Sequence, residues 1–96
     1  PKNRDAWVDF AETLFEAEML EEALEAYGKA LTLRPDDAEA YVSQARAHFA
    51  LGNSDESIYS LKMAFGLDPK QKEDFSQSYP ELFGDQRIRR MLDLDR

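Results

Sequence analysis

Proline recurs at Pro1, Pro35 and Pro69, a step of 34 residues, and this spacing restricts the fold more tightly than anything else in the sequence. One recurring residue type carries little weight. The same step, however, lays Asp5 on Glu39, Ala6 on Ala40, Trp7 on Tyr41, Val8 on Val42, Ala11 on Ala45, Phe15 on Phe49, Glu22 on Glu56, Ala30 on Ala64 and Leu33 on Leu67. Self-similarity at such a period marks an array of small units, each unable to bury its apolar face alone and therefore stacked on its neighbour.

Each unit reads as a pair of helices. Trp7, Phe10, Ala11 and Leu14 recur at steps of three and four and line one side of a helix from Arg4 to Ala17. Leu20, Ala23, Leu24, Tyr27, Ala30 and Leu31 form a second apolar side that stops at Arg34 and Pro35, since proline cannot continue a helix. The second unit repeats this with Tyr41, Ala45, His48 and Phe49, a turn at Leu51-Gly52-Asn53-Ser54, and then Ser57, Ile58, Leu61, Ala64 and Phe65 before Gly66 and Pro69. Asp36, Asp37 and Glu39, and later Ser54, Asp55 and Glu56, stand where helices begin, near unpaired amides and the positive end of the dipole. After Pro69 the pattern starts again with Lys72, Glu73, Asp74 and Phe75, but Pro80 interrupts it. Phe75, Tyr79, Leu82 and Phe83 supply apolar groups, Gly84 breaks the chain, and Ile88, Met91 and Leu92 form a short amphipathic helix starting near Asp85.

This order of residues resembles the tetratricopeptide repeat family, whose units carry an aromatic, a Leu, a small residue, an Ala, an aromatic, another Ala and a Pro in fixed sequence. The first unit gives Trp7, Phe10, Ala11, Leu14, Ala23, Tyr27, Ala30 and Pro35; the second gives Tyr41, Gln44, Ala45, His48, Ser57, Leu61, Ala64 and Pro69, departing at Gln44, His48 and Ser57. The resemblance implies an all-α fold of stacked helical hairpins, an α-solenoid superhelix. The expected organisation is one domain over 1–96, with a first repeat at 4–37, a second at 38–71 and a C-terminal cap at 72–96. Pro1 falls where the closing proline of a preceding unit would lie, so a piece of a longer array is expected.

The resemblance also implies a concave groove lined by the first helix of each pair, holding a peptide or a partner helix. The places that grip a terminal carboxylate in chaperone-binding members are held here by Val8, Glu12, Ser43, Glu73 and Gln77, so no such clamp is present. The expected peptide-binding groove is instead Asp5, Val8, Asp9, Glu12, Phe15, Glu16, Glu39, Val42, Arg46 and Phe49, an acidic stripe with apolar groups between the charges. A formal charge of −8 repels phosphate backbones and anionic membranes, and fits a basic or mixed protein partner.

Nothing signals chemistry. The chain has no cysteine, which removes thiolate metal sites and cysteine nucleophiles. His48 is the only histidine and lies on an inward side without companions at metal spacing. Adjacent carboxylates such as Glu21-Glu22 and Asp36-Asp37 do not face each other on a helix, and phosphate loops and nucleophile elbows are absent. Trp7, Tyr27, Tyr41 and Phe65 sit at helical spacing and read as core. No enzyme activity, cofactor or metal is expected, and no apolar run reaches membrane-spanning length. The compartment stays open, with a soluble cytoplasmic chain as the default. A structural spacer, or a segment self-associating through its N-terminal edge, is the alternative to a ligand-binding module.

Overall fold

The computed structural model describes residues 3–78 and 86–94. Among them the chain forms α1 (Arg4–Glu16), α2 (Leu20–Leu33), α3 (Ala38–Ala50), α4 (Ser54–Leu67), α5 (Lys70–Ser78) and α6 (Gln86–Leu94), with no strand. Helix α1 packs on α2 and α3 on α4 as hairpins; α2 packs in turn on α3, and α5 lies against both α3 and α4. The fold is the helical-hairpin repeat expected from the 34-residue step. The expectations for Pro1, Tyr79, Pro80, Leu82, Phe83, Gly84 and Asp85, and for the side chains of Met91 and Leu92, lie outside the described residues.

Local chemistry sets the ends. Asn3 caps α1 by accepting a hydrogen bond from the Ala6 amide at 2.8 Å, and Asp37 caps α3 by accepting from the Ala40 amide at 3.2 Å. Both first helices close in the same way. In α1 the amides of Glu18 and Met19 donate to the Phe15 and Leu14 carbonyls at 3.0 and 2.9 Å; in α3 those of Gly52 and Asn53 donate to Phe49 and His48 at 3.0 and 2.8 Å. Each is a Schellman closure, which needs a left-handed residue just past the cap. Gly52 takes that conformation at φ 82° and Glu18 at φ 61°.

Small residues let the paired helices approach closely while larger groups fill the flanking gaps. Ala11, Ala23, Ala26 and Tyr27 make one buried cluster, with Trp7, Val8, Leu14 and Phe15 packed beside it. Ala38, Val42, Ala45, Leu61, Ala64, Phe65, Phe75 and Ile88 make the other. Phe65 and Phe75 meet edge to face at 5.8 Å, an arrangement aromatic rings favour. Phe75 and Ile88 bring α5 and α6 onto the second hairpin.

The second unit's departures from the family pattern are accommodated by hydrogen bonds. Ser57, at the place of Ala23, is fully buried and donates its hydroxyl to the Ala45 carbonyl at 2.8 Å. Gln44, at the place of Phe10, accepts from the Ser60 hydroxyl at 3.3 Å. Phe10 itself corrects the sequence reading: expected on the packing side of α1, it is 47% exposed, with its ring centre 6.2 Å from that of Trp7. The periodicity identified the right side of the helix, but α1 has only α2 as a main neighbour, whereas α3 has α2, α4 and α5.

Candidate functional site

Helices α1, α3 and α5 share a hollow of about 230 Å³. Glu12 enters it from α1, Glu39 and Ser43 from α3, and Gln71, Asp74 and Ser78 from α5, over a floor of Val42 and Phe75. A second hollow, of about 310 Å³, continues past Glu12 between Phe15, Glu16, Tyr27 and Arg46. Glu12 lines both, and together they make a channel with a mostly polar rim, in which Glu12, Glu16, Glu39 and Asp74 stand with Arg46 above the buried Val42, Phe75 and Tyr27.

The residues expected to form the groove divide into three sets. Glu12, Glu16 and Glu39 are exposed, stand around the two hollows and are joined there by Arg46. Asp5 and Asp9 are exposed but line neither hollow; Asp5 turns instead to Arg4, at 2.9 Å. The apolar members are mostly committed to the core. Val42 was expected on a face the core does not need, but it is only 4% exposed and belongs to the second buried cluster. Phe75 of α5 belongs to the same cluster and lines the same hollow, and among the described residues no such helix stands beside the corresponding Val8. Val8, Phe15 and Phe49 are half-buried beside the two clusters, and the guanidinium of Arg46 lies 4.9 Å above the Phe15 ring, so Phe15 does not offer a bare apolar face.

Asp74, Gln71 and Ser43 were not anticipated. Repeat arithmetic sets Glu73, not Asp74, opposite Glu39. The available signal was helical: Gln71, Asp74, Phe75 and Ser78 follow steps of three, one and three and therefore share one face of α5.

Two further polar groups are structural. Asp37 caps α3 and pairs with Arg4, fastening the start of α1 to the start of α3; the bond to Asp37 holds the Arg4 guanidinium pKa above its usual value. Burial lowers the pKa of His48, partly opposed by the Glu56 charge, and its Nδ1 is enclosed without a hydrogen-bond partner among the described residues. No group of three or more His, Asp or Glu among those residues could hold a metal ion, and no helix is long and apolar enough to cross a membrane.

A family profile described as TPR repeat matches residues 11–52, and one described as Tetratricopeptide repeat matches residues 38–71. The chain belongs to the tetratricopeptide repeat family. It is also similar to Small glutamine-rich tetratricopeptide repeat-containing protein 2 of Mycosarcoma maydis, at 32% identity over 71 residues, which is 74% of this chain and 20% of that protein. The chain thus spans about a fifth of that relative's length. Tetratricopeptide repeats generally mediate protein–protein interaction, and membership points to a non-catalytic interaction module.

Proposed function

We propose that this tetratricopeptide repeat chain holds a basic or mixed peptide, or one face of a partner helix, along the channel between α1, α3 and α5. The observation that carries this reading is the ring of Glu12, Glu39 and Asp74 around a floor of Val42 and Phe75. Three carboxylates around one hollow favour a Lys or Arg side chain, whose methylenes lie on the floor while its charge meets the rim. Arg46, stacked on Phe15 beside Glu16, divides the channel and favours an acidic or neutral residue at that point of the ligand. Under this reading α5 and α6 also act as the cap of the array.

Screening an array of overlapping peptides at two salt concentrations tests the reading. Binding should favour Lys- and Arg-containing segments and weaken as salt rises, because exposed charges are screened over about 8–10 Å at physiological ionic strength. An array with no sequence preference would favour the spacer reading. Self-association has one observation in its favour, the exposed Phe10 beside Trp7 at the outer side of α1. Sedimentation over a range of concentrations would detect it as a rising mass, removed by Phe10→Gln, the residue type that the second unit carries there.

A further inference from the structure

A third hollow opens where α4 meets α5, away from the channel, and its chemistry is reversed. It measures about 470 Å³ and is lined by Lys62, Phe65, Gly66, Pro69 and Lys72. The channel hollows carry Glu12, Glu16, Glu39 and Asp74, whereas this lining contains no carboxylate. That contrast stands out in a chain of formal charge −8. Neither lysine makes an ion pair with another described residue. We infer that this hollow is a second docking site, for an acidic peptide segment that presents one apolar side chain.

The fold accounts for Phe65 and Pro69, but not for Lys62, Gly66 or Lys72. Stepping back by 34 gives Gly28, Leu31, Thr32, Pro35 and Ala38 at the same five places, so the repeat needs neither lysine. Lys72 is in the first turn of α5, where the positive end of the helix dipole disfavours a cation. Lys62 lies five residues before Leu67, more than a turn from the end of α4, where the dipole no longer favours it. Gly66 is in the last turn of the same helix without the positive φ that would call for glycine, and a Cβ built there meets nothing within 4 Å. Glycine is a poor helix former, so its presence goes unexplained by α4 alone. Its effect is to leave the hollow open above Phe65 and Pro69.

Charge and shape together select the ligand. An acidic segment approaching the channel meets carboxylates; here it meets two unpaired lysines instead. The floor is the edge of an otherwise buried ring and a proline, with no hydrogen-bonding side chain, so it gains only from an apolar group. Lys72 stands off the face of α5 formed by Gln71, Asp74, Phe75 and Ser78, so this site and the channel can be filled at once.

The test uses a synthetic peptide of Glu and Asp residues with a single central Phe, titrated into isotopically labelled protein and followed by amide chemical shifts. Shifts should gather over residues 62–72. Lys62→Glu with Lys72→Glu should weaken binding about tenfold, the scale of two exposed ion pairs reversed. Gly66→Gln, whose Cβ has open space and whose longer side chain adds bulk at the hollow, should weaken it comparably without loss of helicity, as should replacing the peptide's Phe by Ala. Glu12→Lys with Glu39→Lys should not weaken it. The inference fails if Gly66→Gln binds as the parent does, if the shifts gather on α1 and α3, or if the same residues shift on raising protein concentration without peptide, which would assign the hollow to a second copy.

Discussion

His48 takes the place that Leu14 holds in the first unit, an apolar position by the family pattern, and its ring is half-buried with Nδ1 unbonded among the described residues. Burial disfavours the charged ring, so the folded chain holds its proton less tightly than the unfolded chain does. With the folded pKa below the usual value, this site leaves stability intact above about pH 6.5 and subtracts from it as pH falls through and below that value. His48→Leu should therefore melt higher than the parent, by a margin that widens from pH 7.5 to pH 5.5 in thermal denaturation followed by circular dichroism. A constant margin would mean that His48 titrates alike in both states. The sequence marked His48 as structural because it had no companions. It did not mark Val42 as core, since the 34-residue step equates it with the half-buried Val8, and the difference lies in the helices that flank α3 but not α1, among them α5 from a segment that breaks the repeat. Arg46 was similarly illegible: spacing put it among carboxylates, while its position over the Phe15 ring depends on how α1 and α3 lie side by side.

The hairpin turns give the sharpest local comparison within the molecule. Glu18 and Gly52 stand 34 residues apart, close α1 and α3 with the same pair of hydrogen bonds, and share a left-handed backbone. Glycine adopts that conformation without steric cost, and glutamate does not. Glu18→Gly should therefore stabilise the chain by about 1 kcal/mol, after the larger loss of unfolded-chain freedom by glycine is deducted. Gly52→Ala should destabilise it by a similar amount, about 1 kcal/mol. Urea unfolding midpoints would check both; a Glu18→Gly midpoint no higher than the parent's would contradict the strain assigned to that turn. Helix starts and stops were legible because proline, caps and acidic first turns act through neighbours in sequence. Which flank of α1 is covered was not, because a residue's period reveals its side of the helix but not whether another helix stands there. Phe10 and Gln44 occupy one repeat position, and only the latter has a partner in Ser60.

Across the whole molecule, the two hairpins are tied not only by apolar packing but by Arg4 and Asp37, which link the start of α1 to the start of α3. The Asp37 side chain is 6% exposed, and the same carboxylate caps α3. Asp37→Ala removes the cap and leaves the partly buried Arg4 guanidinium with only the exposed Asp5 as partner, and should cost about 2–4 kcal/mol. Asp5→Ala, which removes an exposed partner of the same arginine, should change stability by less than about 0.5 kcal/mol. Equal losses from the two would show that Arg4 fastens nothing. Beyond this link the charge is unevenly distributed: carboxylates ring the channel of α1, α3 and α5, and lysines flank the hollow between α4 and α5. The first was anticipated at Glu12, Glu16 and Glu39 because those residues lie on the solvent side of helices whose opposite side is apolar. The second was not, because Lys62 and Lys72 are separated in sequence and come together only through the turn at Pro69.

Under the proposed function, carboxylates of the channel hold a cationic side chain of the ligand. The most direct measurement is calorimetric titration of the best-binding basic peptide from the array into the parent chain and into Glu12→Lys with Glu39→Lys, two exposed positions outside both buried clusters. Affinity should fall tenfold or more in the variant at unchanged helicity, on the scale of about 1.4 kcal/mol or greater, with a shallower salt dependence. Equal affinity and equal salt dependence in the two proteins would contradict it.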